Sequence, residues 1–66
     1  MNKEQAMVCV LRHKAEGERI RYHDAINKAS YTHEPERTTL TTQADMHLCR
    51  CHAFHEAADT VEAIYS

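Results

Sequence analysis

Residues 40–65, LTTQADMHLCRCHAFHEAADTVEAIY, decide the fold. Within them Leu40, Ala44, His47, Cys51, Phe54, Ala58, Val61 and Tyr65 follow one another at intervals of four and three. A mean spacing of about 3.5 residues marks a helix packed lengthwise against another helix. No glycine or proline interrupts the run. The spacing therefore predicts a long second helix over about 39–65, and the rest of the chain must supply its partner.

Working back toward the start, Pro35 lacks an amide hydrogen and disfavours helix at Glu34. The segment 31–38 reads as a turn. Thr38 and Thr39 are good helix caps and poor helix interiors, which sets the start of the second helix there. Before the turn, Val8, Leu11, Ala15, Glu18, Tyr22, Ala25 and Ala29 form a matching seam. Glu18 is a fault in it, and Met7 and Ile26 widen it. Asn2 and Gln5 have the spacing of a capping pair. A first helix over about 3–30 follows, with Gly17, the one glycine of the chain, in its middle. Gly17 marks a tolerated fault, a close approach of another backbone or ligand, or a break. Ala6, Val10 and Ile20 lie off the seam as a weaker second stripe.

Two long helices joined by a short turn run antiparallel. The fold expected is all-α, one helical-hairpin domain over 1–66. A chain of 66 residues is at the edge of what a private core stabilises. Self-association into a homo-oligomeric helical bundle is therefore expected.

Formal net charge is −2, which gives no overall basic footprint for nucleic acid. Residues 1–31 hold six Lys/Arg against four Asp/Glu, whereas 38–66 hold Arg50 against Asp45, Glu56, Asp59 and Glu62. A basic helix beside an acidic one suits antiparallel pairing. The longest apolar run, residues 6–11, is far too short to span a bilayer. With no signal peptide pattern and three cysteines, an odd number, the expected setting is a reducing cytoplasm.

The densest chemical cluster is residues 46–55. His47, Cys51 and His55 recur every four residues and share a side of the helix, a donor set that suits zinc. Their spacing matches no standard zinc module, and His47 and Cys51 also lie on the packing seam. Packing is the expected role, with no metal or cofactor. Catalysis is not expected either, since a hairpin of this size offers no pocket with an oriented base and a stabilised oxyanion.

The remaining candidates are cationic. Arg12, Lys14, Arg19, Arg21 and Lys28 on the first helix, and Arg37 at the turn, serve either as a solvated face paired to Glu16, Glu18 and Asp24, or as phosphate ligands. Tyr22 offers a ring for stacking on a base. Arg37, Thr38 and Thr39 at a helix start favour anions. Tyr22 of one subunit near Arg37 and Thr39 of another would make a small anionic-ligand site.

Two resemblances bear on this. In size and architecture the hairpin is similar to the plasmid copy-control RNA-binding hairpin, whose dimer is a four-helix bundle. Pro35-Glu-Arg37 and Thr39-Leu-Thr-Thr42, within a region of about a third of the chain, look like the turn of the phage anti-CBASS cyclic-nucleotide sponge family. That family has two-helix protomers. It departs from this chain in its second helix, where an acidic run and a tryptophan stand in place of Asp45-Met-His-Leu-Cys. The resemblance implies a non-enzymatic phage anti-defence protein of the host cytosol that sequesters a cyclic nucleotide between protomers. Tyr22, Arg37 and Thr39 fall in the ligand-gripping places. RNA or protein binding by a helical bundle, and a zinc-stabilised bundle, are the alternative readings.

Overall fold

A computed structural model describes residues 2–65. Two α-helices, α1 (Lys3–Ala29) and α2 (Glu36–Tyr65), pack against each other as a hairpin of 48 × 16 × 11 Å. Helix α1 opens with the capping box foreseen. The Asn2 side chain accepts from the Gln5 amide at 2.7 Å, and the Gln5 side chain accepts from the Asn2 amide at 3.0 Å. The helix runs through Gly17 without a break. It ends on hydroxyls: Ser30 Oγ donates to the Asn27 carbonyl and Thr32 Oγ1 to that of Lys28, both at 2.6 Å. These bonds add to the long backbone bonds that the same two carbonyls accept from the Ser30 and Tyr31 amides, at 3.2 and 3.3 Å.

Helix α2 starts at Glu36, directly after Pro35 and earlier than the threonine run suggests. Thr38 and Thr39 lie inside its first turn instead of capping it. The Thr38 hydroxyl donates to the Glu34 carboxylate, and the Thr41 and Thr42 hydroxyls donate to the Thr38 carbonyl. A side chain that bonds its own preceding turn can sit inside a helix, so these threonines mark no boundary.

Both seams meet as their spacing requires. Ala15, Ala44 and Ala58 are wholly enclosed, with Cys51, Ala25 and Ala29 close behind. Val8, Leu11, Tyr22, Leu40, Phe54 and Val61 flank them, half-buried. Small residues along the contact line let the two backbones approach, and the larger side chains wrap the edges. One consequence is that no large side chain among the described residues is fully buried. Tyr65 leaves the seam and is exposed, because α1, which starts at Lys3, does not extend to its level. Met7 and Ile26, expected to widen the α1 seam, sit on its exposed margin. No helix among the described residues is long and apolar enough to cross a membrane.

Candidate functional site

The apparent fault at Glu18 is the centre of a polar cluster. Glu18 is buried on α1, and His47, half-buried, stands opposite it on α2. His47 Nδ1 donates to Glu18 Oε2 at 2.5 Å. Arg21 Nη1 donates to the other oxygen, Oε1, at 3.3 Å, and Arg50 Nη1 lies 4.0 Å from it. The Glu18 carboxyl is held below the usual value of 4.5, first by the His47 hydrogen bond, and also by the charges of His47, Arg21 and Arg50; burial opposes them. With both oxygens engaged, this buried carboxylate is a satisfied structural anion.

Beside it lies a surface hollow of about 290 Å³ lined by His13, Lys14, Gly17, Glu18, Arg21 and Phe54. Lys14 Nζ sits 6.0 Å from the centre of the Phe54 ring. The missing side chain of Gly17 contributes to this hollow. A Cβ there would meet only the flexible end of Arg21, at 3.8 Å.

Nearer the open end, Arg12 of α1 spans to α2. Its Nη2 donates to Asp59 Oδ1 at 3.0 Å and Glu62 Oε1 at 2.5 Å, and its Nη1 lies 3.3 Å from His55 Nδ1. A guanidinium only donates, so His55 Nδ1 is the acceptor in this contact. The hydrogen bonds of Glu62 and then Asp59 raise the Arg12 pKa above its ordinary value. This clamp is the basic-to-acidic pairing expected from the charge division between the helices. A more open groove of about 650 Å³, with Val8, Cys9, Val61 and Tyr65 in its lining, adjoins it.

No family model, curated protein or solved structure matches this chain. The site is therefore read from its own chemistry. His47 and His55 turn to Glu18 and Arg12, with Cys51 buried between them, and among the described residues no group of three His, Cys, Asp or Glu gathers as a metal site. All three cysteines are free thiols, Cys9 and Cys49 exposed.

The three ligand-gripping candidates stand apart within one hairpin. Tyr22 is half-buried in the seam, edge-on to His23 with ring centres 5.1 Å apart. Arg37 and Thr39 are exposed in the first turn of α2. Among the described residues no hydrogen bond joins Tyr22 to either, and neither hollow is lined by any of the three. Most of the candidate cations take the paired role offered for them, three of them with Glu16, Glu18 and Asp24 themselves. Arg12, Arg19, Arg21 and Lys28 pair with carboxylates, whereas Lys14 and Arg37 make no ion pair among the described residues.

The Glu18–His47 pair is what the sequence reasoning missed. Its signal was present: each is the polar interruption of its seam, and they stand equally far from the turn at residues 32 and 33. In an antiparallel hairpin that places them at one level.

Proposed function

We propose that this chain is a non-enzymatic binding protein that works as an assembly of hairpins in the cytoplasm and takes a phosphorylated small ligand, of the cyclic-nucleotide kind, between protomers. Tyr22, Arg37 and Thr39 are the proposed contacts. The observation that carries the reading is Arg37. It is exposed at the start of α2 beside Thr39, and unlike most of the chain's cations it has no carboxylate partner among the described residues. A free guanidinium near a helix start suits a phosphate. A hairpin 11 Å through in its Cα trace is too thin to enclose such a ligand alone, so a second protomer must supply the other wall. The exposed thiols Cys9 and Cys49 suit a reducing compartment. The resemblance to phage sponge proteins at Pro35–Thr42 agrees with an anti-defence role.

Calorimetry against cyclic di- and trinucleotides tests this. Arg37→Ala should weaken binding by about 1.5–3 kcal/mol, the scale of a charge-assisted hydrogen bond. Tyr22→Ala should weaken it by about 1–3 kcal/mol through lost stacking. If no member of the panel binds more tightly than roughly 10 μM, the ligand reading fails. A protein-binding bundle is then the better account, favoured by the exposed Met7, Val10, Met46 and Ile64. An RNA-binding stripe has less support, because pairing with carboxylates neutralises most of the basic positions.

A further inference from the structure

The hairpin has two distinct broad faces. Arg12 and Arg21 are nine residues apart on α1, two and a half turns, so they leave on opposite sides. Arg50 and Asp59 on α2 are nine apart too. Arg12 meets Asp59 on one face, and Arg21 and Arg50 approach the same oxygen of Glu18 on the other. The first face carries the Arg12 clamp, with the open groove beside it. The second is different in kind.

On α2 this second face carries Met46, Arg50, Ala53, Ala57, Thr60 and Ile64, at intervals of four and three throughout. That is another seam of about 3.5-residue spacing, beside the one that packs α1. On α1 the matching row is Val10, Lys14, Gly17 and Arg21. Val10, Met46 and Ile64 are 53%, 43% and 66% exposed. Gly17, Ala53 and Ala57 form its floor, and nothing within the hairpin requires a glycine at position 17.

We infer that this face is the docking surface for a second copy of the chain, giving a four-helix bundle. Three observations select that occupant. The repeat on α2 is the repeat of a helix–helix contact, so its partner is helical. The small residues in both rows allow another backbone to come close, as they do in the seam between α1 and α2. The broad face spans 48 by 16 Å in its Cα trace, a rectangle of roughly 770 Å², so it has room for an interface of the standard ~800 Å² of accessible surface per partner. A second copy also provides burial that the hairpin lacks, since no large side chain among the described residues is fully enclosed. The cations on the face do not oppose this. Arg21 and Arg50 share the buried Glu18, and the exposed Lys14 side chain sets its ammonium over the Phe54 ring, on the edge of this face toward the α1–α2 seam. The inference deepens the assembly part of the proposed function and is independent of the ligand.

Sedimentation of the reduced full chain across a dilution series tests it. The expected result is a reversible dimer or higher even assembly, with a melting midpoint that rises with concentration. Ala53→Lys and Gly17→Leu should each raise the dissociation constant at least about tenfold, or 1.4 kcal/mol. His52→Lys, one residue away and turned toward the clamp side, should leave it within about twofold. A variant that loses helix on dilution and regains it on concentration counts as weakened association, read by circular dichroism. A fully helical monomer at every concentration overturns the proposal, and so does an assembly weakened by His52→Lys but not by Ala53→Lys. Assembly through this face without nucleotide binding would remove the ligand reading alone. Nucleotide binding by a chain that stays monomeric would remove the docking face and the placement of the ligand between protomers, and would leave only the ligand itself.

Discussion

Arg12 and Glu18 both reach from α1 to charged or polar partners on α2, yet they sit in opposite surroundings. Glu18 is buried at 7% exposure, between enclosed Ala15 and half-buried Tyr22 along its seam, facing His47. The Arg12 side chain is 39% exposed, and its acidic partners more so. Water screens the clamp and leaves each group an alternative partner, whereas a buried carboxylate stripped of its histidine has few. The comparison teaches that the helices are registered from the middle of the hairpin and that the open end is held more loosely. Cavity geometry agrees, since the larger groove lies at the open end.

The strongest way to break this contrast is to shorten an apolar side chain at each level. Phe54 borders the hollow beside Glu18, and Val61 lines the groove at the open end. Full burial of a phenylalanine implies a loss of about 3–5 kcal/mol on truncation to alanine. Phe54 is half-buried, so Phe54→Ala should cost about 2–3 kcal/mol. Val61→Ala should cost about 1 kcal/mol or less. Chemical denaturation of both variants at one protein concentration checks the order. Equal losses would mean that the two levels are equally tight.

Acid sharpens the contrast. The Glu18 pKa is lowered in the folded chain, mainly by the His47 hydrogen bond. A carboxylate with a lowered folded value binds fewer protons folded than unfolded near its titration. Its contribution to stability is complete above the ordinary value of about 4.5 and fades as pH falls through the lower folded value. Glu16, whose pKa is lowered by Arg19, adds a weaker dependence of the same sign from the surface. Melting midpoints between about pH 6 and pH 3 should therefore fall, and Glu18→Gln should flatten the fall while lowering the midpoint at neutral pH. An unchanged slope in Glu18→Gln would show that the buried pair does not govern the acid response.

Gly17 tests the same region from the other side. A mid-helix glycine costs about 1 kcal/mol relative to alanine. The space around an added Cβ is open within the hairpin. Gly17→Ala should raise the stability of the dissociated hairpin by about that amount, measured by denaturation at the lowest protein concentrations, where the assembly has come apart. A gain that turns into a loss as concentration rises would place the second copy against this position.

The sequence carried the architecture well, for a reason visible in particular residues. Eight seam positions from Leu40 to Tyr65 repeat without a break, and only the last falls outside the contact, where α1 has run out. The capping box at Asn2 was legible because it needs only two side chains three residues apart. The start of α2 was misplaced because Thr38, Thr41 and Thr42 make bonds within the first turns that propensity alone does not foresee. The polar centre was hidden because reasoning along one helix treats Glu18 as an error. Its meaning lies in His47 on the other helix, which becomes adjacent only once the register is fixed. The same holds for Arg12, whose partners are known only after the hairpin closes.

The smallest expected effect belongs to that clamp. Arg12→Ala removes two charge-assisted hydrogen bonds to Asp59 and Glu62 and the contact with His55. All the groups released remain within reach of water, so none is left stranded. The destabilisation should be smaller than that of Val61→Ala and should shrink further in added salt, because exposed pairs are screened over about 8 Å at physiological ionic strength. A double-mutant cycle makes the comparison direct. The coupling between Glu18 and His47 should exceed that between Arg12 and Glu62, and only the latter should weaken markedly between low and high salt. If the clamp carries the larger, salt-insensitive coupling, then the hairpin is registered from its open end, and the buried pair is an accommodation made after the helices have met.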